Sequence, residues 1–141
     1  MNYVFLNGER FDVLGLHPLN KEDPYHQHVK KLVALRKKVR DVLYQGRMMD
    51  TLGLSEIPEQ TQARVFVGKT AAVVTVWDRR PERKPWELAI NTSALPWPQA
   101  LTKAKALLLD GTEQDVAIKR DATTMRVTVP AAEICALRFS R

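Results

Sequence analysis

The sequence predicts an α+β fold. An N-terminal strand and loop lead into one long amphipathic helix, and a small antiparallel β-sandwich of six or seven strands follows. Three observations predict it. Apolar residues recur at spacings of three and four over residues 24–45. From Ala63 the period changes to two, with turn residues between short runs. The chain has 141 residues, 45% of them hydrophobic, which suffices for one core but not for two full domains. The change of period divides the chain into residues 1–57 and 63–141.

The elements follow in order. Tyr3-Val4-Phe5-Leu6 is a short apolar run, expected as a buried strand, and Asn7-Gly8 breaks it. The stretch from Glu9 to Asp23 is polar and irregular, with Gly15 and Pro18 disfavouring regular structure. A helix over 24–45 starts well: Asp23 suits the N-cap and Pro24 the first helical position. Its stripe is Val29, Leu32, Val33, Leu35, Val39, Val42 and Leu43, and Gly46 stands where a C-cap glycine belongs. Residues 46–62 are a connector whose Met48, Met49, Leu52, Leu54 and Ile57 can pack on a neighbour. Strands are expected over 64–67, 71–77, 86–91, 103–109, 115–120, 124–129 and 134–139. Gly68-Lys69, Asp110-Gly111 and 121–123 supply turns. Val127 and Val129 alternate with Arg126 and Thr128, the mark of a strand with one face wet.

The net charge is +6, and five of those six excess charges lie in residues 20–47. A basic helix can bind phosphates. This one lacks the interleaved aromatics of single-strand binders and has no preceding short helix for a helix-turn-helix, so nucleic acid is disfavoured. A single cysteine, Cys135, excludes an intrachain disulfide framework and favours a reducing, cytoplasmic compartment. No apolar run approaches the ~20 residues that span a bilayer, so no membrane partner is expected. Residues 2–7 are too short for a secretory segment.

Chemistry-bearing residues are few. His26 and His28 are two apart, so on a helix they point ~200° apart and cannot share an ion. No zinc-type spacing occurs, and no metal or cofactor is expected. Nucleotide-binding glycine motifs and a nucleophile elbow are absent. Cys135, between Ile134 and Ala136, reads as a structural strand residue. Glu9 and Asp12 lie near Arg10 and His17 in the first loop, as candidate contacts with water as their ordinary environment. Among the tryptophans, Trp77 is expected in the core, Trp86 at the sandwich edge, and Trp97, between Pro96 and Pro98, as the most exposed. An exposed Trp97 would be a sugar-stacking surface.

Three stretches carry a resemblance. They are residues 2–8, the helix from Leu35-Arg36 to Gly46-Arg47 followed by Asp50-Thr51-Leu52-Gly53, and residues 63–78 with a closing strand after Val129-Pro130. In this order the chain resembles the C-terminal end of a bacterial (β/α)8-barrel glycoside hydrolase with a trailing β-sandwich. Residues 1–57 resemble a remnant barrel-type strand, loop and helix, and residues 63–141 the sandwich. In that family the catalytic carboxylates sit on earlier strands, so the resemblance carries over no catalytic residue. Glu9, Arg10, Asp12 and His17 occupy the loop that would face substrate. The resemblance implies a non-catalytic C-terminal region or small subunit with a structural role. Such a chain would use the apolar stripe of helix 24–45 to self-associate or to meet a barrel-type catalytic chain. A free-standing carbohydrate-binding sandwich is the alternative, and a basic-helix binder of nucleic acid or an acidic partner the third reading.

Overall fold

The computed structural model describes residues 1–9, 22–98 and 100–141. Among the described residues two α-helices, α1 (Asn2–Leu6) and α2 (Pro24–Gln45), precede ten strands. The strands are β1 (Arg47–Met48), β2 (Leu54–Ser55), β3 (Thr61–Val67), β4 (Ala72–Asp78), β5 (Trp86–Asn91), β6 (Lys103–Leu108), β7 (Glu113–Val116), β8 (Ile118–Arg120), β9 (Thr124–Val129) and β10 (Ile134–Ser140). They form two antiparallel sheets, a six-stranded one in the order β1-β3-β4-β10-β6-β7 and a four-stranded one in the order β2-β5-β9-β8. The class is the expected α+β with a sandwich. The main core lies between the sheets, with Val65, Val74, Leu88, Ile90, Val127, Leu137 and Phe139 buried together.

Helix α2 begins and ends where its sequence signals lie. The Asp23 side chain accepts a hydrogen bond from the Tyr25 amide at 2.8 Å, and Pro24 needs no partner for an amide it lacks. At the other end the Gly46 amide donates to the Val42 carbonyl at 2.8 Å. Gly46 is extended, with φ −83°, so its glycine is required by space and not by a left-handed turn. A Cβ there would stand 2.4 Å from the Val42 carbonyl oxygen and 3.0 Å from that of Val67.

The stripe of α2 is covered by this chain's own six-stranded sheet. Leu32, Leu35, Val39, Val42 and Leu43 pack with Phe66, Val73, Leu107, Ile134 and Ala136, which point out of the sandwich on the far side of that sheet. The expectation that this stripe mediates self-association or contact with a barrel chain is thereby corrected. The reason lies in β4 and β10, which are buried on both faces and therefore offer a second apolar surface.

Residues 2–8 form no strand: α1 is a helix over Asn2–Leu6. A four-residue apolar run has no period to separate strand from helix. The helical form satisfies its backbone locally, with the Phe5 amide on the Met1 carbonyl and the Asn7 amide on that of Tyr3, each at 3.1 Å. It also turns both Phe5 and Leu6 inward. Side chains then fasten α1 to the sheet and to α2. The buried Thr75 hydroxyl donates to the Leu6 carbonyl at 2.7 Å. Asn2 accepts from His28 Nε2 at 2.5 Å and donates to Glu133 Oε1 at 3.2 Å. Thr75→Val keeps the side-chain shape but leaves that buried carbonyl without its hydroxyl partner. We expect it to lower stability by about 1–2 kcal/mol in urea denaturation.

The expected strand 115–120 is two strands. β7 edges the six-stranded sheet and β8 the four-stranded one, with Ala117 at the crossing. Val116 and Ile118 both pack on the main core, one from each sheet. Their alternation about Ala117 survives the crossing, so the sequence pattern does not reveal it. The connector 46–62 contributes the short β1 and β2. Met49, Leu54 and Ile57 pack on the core, whereas Met48 and Leu52 stay exposed.

Candidate functional site

The residues singled out by sequence do not converge. Glu9 is exposed just beyond α1, and Arg10, Asp12 and His17 lie outside the described residues. His28 is engaged by Asn2. Among the described residues no group of three or more His, Cys, Asp and Glu side chains gathers as metal ligands would. No helix there is long and apolar enough to cross a membrane.

The tryptophans are arranged differently from the expectation. Trp97 is half-buried, and its ring meets Phe139 edge to face at 5.2 Å between centroids. It packs against the main core as one of its partly buried members. Trp86 is buried inside the sandwich. Trp77, expected in the core, is half-buried on the outer side of the six-stranded sheet, with the Arg79 guanidinium over its ring at 5.0 Å. The three indoles therefore offer no shared flat face to a sugar.

Cys135 is fully buried between the sheets. Burial, with a smaller contribution from the Asp78 charge, pushes its thiol up to about 12. The nucleophilic thiolate is then scarce at neutral pH. We expect no reaction with Ellman's reagent in the folded chain and one thiol per chain after denaturation.

The loop after β4 carries Arg79, Arg80, Arg83 and Lys84, and Asp78 organises it. The Asp78 carboxylate is 1% exposed. It accepts from the Arg80 amide at 3.0 Å, from Arg80 Nη2 at 2.7 Å and from the Thr61 hydroxyl at 3.3 Å. Arg83 Nε donates to the Asp78 carbonyl at 3.0 Å.

A hollow of about 240 Å³ lies between Leu109-Asp110 and residues 131–134, and others gather along one flank of α2. Three adjoining hollows run there. The first holds Lys38, Lys105, Glu113, Arg138 and Ser140, with a volume of about 350 Å³. The second, about 240 Å³, lies between Asp41, Gln45 and the turn Gly68-Lys69-Thr70. The third, about 370 Å³, shares Gln45, Gly68 and Lys69 with the second and extends to Arg47, Pro96 and Pro98. Arg138 joins the first two by a two-pronged pair with Asp41, at 2.8 and 2.6 Å. The Arg138 hydrogen bond holds the Asp41 carboxyl below its ordinary range against the opposing effect of burial. Glu113 is lowered by Lys38, whose Nζ donates to it at 2.7 Å, with Lys105 at 3.6 Å. Sequence could not signal this trough: it joins a helix flank, a hairpin turn and a proline loop far apart in the chain.

No protein-family model matches the sequence, and no curated protein matches it. One solved structure shares the fold at a TM-score above 0.5. A maltogenic α-amylase, AmyB, from Thermotoga neapolitana matches with a TM-score of 0.53 at 16% identity, over 88% of this chain and 27% of that one. An α-amylase from H. orenii matches with a TM-score of 0.45 at 11% identity, over 82% of this chain and 20% of that one. The likeness is one of fold. This chain spans about a quarter of the length of the amylase chains it matches.

Proposed function

We propose that the chain is a non-catalytic C-terminal region or small subunit of a (β/α)8-barrel glycoside hydrolase, with a structural, accessory role. The observation that carries this reading is the fold shared with AmyB, over nearly all of this chain and about a quarter of that one. The order of pieces in the sequence supports it: a basic helix ending at Gly46-Arg47, then Asp50-Thr51-Leu52-Gly53, then a sandwich. On this reading residues 1–57 form the side turned toward a barrel, with β1 and β2 reaching from them into the sheets, and residues 63–141 supply the rest of the appended sandwich. The apolar stripe of α2 is spent on the sheet. A barrel would therefore meet the polar outer face of α2, where Lys30, Lys37 and Tyr44 are exposed.

The test is native gel filtration of extract from the source cells, with mass-spectrometric identification of what co-elutes. We expect peptides of this chain to travel with those of a barrel-type glycoside hydrolase, whether joined to it or bound as a subunit. Migration as a free monomer would overturn the reading. So would release of reducing sugar from starch or maltooligosaccharides by the purified chain alone.

A further inference from the structure

The trough along α2 has more positive charge than its own acids can neutralise. Five cations line it among the described residues: Lys38, Arg47, Lys69, Lys105 and Arg138. Two acids line the trough with them, and a third, Asp115, stands opposite Lys105 across the β6–β7 pair, which still leaves the cations in excess. Glu113 is shared between Lys38 and Lys105, and Asp41 is held by Arg138. Arg47 and Lys69 make no ion pair among the described residues, and both are exposed. The C-terminal end of α2 lies beside them. Its dipole amounts to roughly half a negative charge, which offsets only about a quarter of their combined charge. Gln45, Thr70 and Ser140 place neutral hydrogen-bonding groups between the cations.

We propose that this trough binds an extended acidic polypeptide segment of a partner protein. The excess of cations selects an anion, and three hollows in a row select an extended one. A neutral polysaccharide is disfavoured because no aromatic face lines any of the three hollows: Trp97, beside the third, is turned onto Phe139. The side-chain amide and hydroxyls of the trough can bond the free backbone groups of an extended strand. The inference goes beyond the accessory reading and does not depend on it.

The experiment uses the whole chain and a fluorescein-labelled peptide of about ten alternating Glu and Asp residues, long enough when extended to follow the trough. Binding is read by fluorescence anisotropy at low and physiological salt. We expect saturable binding that weakens with salt. The Arg47→Gln/Lys69→Gln double variant should weaken it about fivefold or more, and Lys30→Gln/Lys37→Gln, on the outer face of α2, less than about twofold. The two variants remove equal charge, and both replace exposed side chains. Their thermal melts, matched to wild type, confirm folding, and Arg47→Gln and Lys69→Gln singly serve if the double variant melts early. No binding at low salt overturns the proposal. Equal losses in both double variants overturn it too, because net charge alone would then explain the binding. Tighter binding of polygalacturonate, lost in the trough variant, overturns the polypeptide in favour of an acidic polysaccharide.

Discussion

Leu32→Ala is expected to lower the stability of the isolated chain by about 3 kcal/mol while leaving its oligomeric state unchanged. Leu32 is fully buried and packs in the cluster that joins α2 to Val73, Ile134 and Ala136. Truncating a leucine in such a place removes its transfer free energy and leaves a cavity between two rigid elements, for a total of roughly 2–5 kcal/mol. Domains have only about 5–15 kcal/mol in all, so the melting temperature should fall by about 10 °C. Lys30→Ala, on the opposite side of the same helix, should change it by less than about 0.5 kcal/mol. Thermal denaturation and sedimentation equilibrium together check the result. An unchanged melt with a changed oligomeric state would mean that the stripe serves a partner and not the sheet.

Much of this architecture is legible in the sequence, and the misses have separate physical causes. The helix 24–45 is legible because its cap, its proline and its three-four spacing agree, and the structure returns Pro24–Gln45. Strands β5 and β9 were legible from their turns and alternation. What covers the helix was less so. The run 71–77 is apolar at nearly every position, and such a run signals a strand buried on both faces. That pattern already asked for a layer outside the sandwich, and α2 is the only long apolar stripe in the sequence to supply it. Residues 2–8 failed for want of length, since one turn of helix and one short strand place the same four apolar residues equally well. The tryptophans failed for a different reason. Exposure is set by tertiary packing, and two prolines beside Trp97 argue for a loop without saying which way its ring turns. The trough is a property of juxtaposition. Arg47, Lys69 and Arg138 are unremarkable surface cations until β3, β4 and β10 bring them to one flank of α2.

Asp78→Ala is expected to lower stability by about 3 kcal/mol, and Asp78→Asn by about half as much. The carboxylate sits at the end of β4 with almost no solvent contact. Removing it strips the Thr61 hydroxyl and the Arg80 guanidinium of their acceptor. Hydrogen bonds to a charged group contribute roughly 1.5–3 kcal/mol, and the upper end applies because the buried carboxylate holds Thr61 as well as Arg80, which is itself free to swing into water. Asparagine retains an oxygen for Thr61 and for the Arg80 amide but loses the charge that draws the guanidinium. The pH dependence separates the charge from the shape. Burial by itself raises the Asp78 carboxyl, but the Arg80 side chain and amide outweigh it, and the net direction is below the ordinary 3.8. A carboxyl lowered by folding stabilises the folded state above 3.8, and that contribution is lost as pH falls through the lower folded value. Other carboxyls, Asp41 and Glu113 among them, are also lowered and titrate in wild type and variant alike. The difference in stability between wild type and Asp78→Asn therefore isolates Asp78. It should be constant above pH 5 or so and shrink toward pH 2. A difference that stays flat to pH 2 would assign the effect to shape and hydrogen bonding without charge. Limited trypsin digestion gives an independent view. With Asp78 gone, the loop loses the anchor for Arg80, and cleavage after Arg79 and Arg83 should accelerate before the rest of the sandwich is touched.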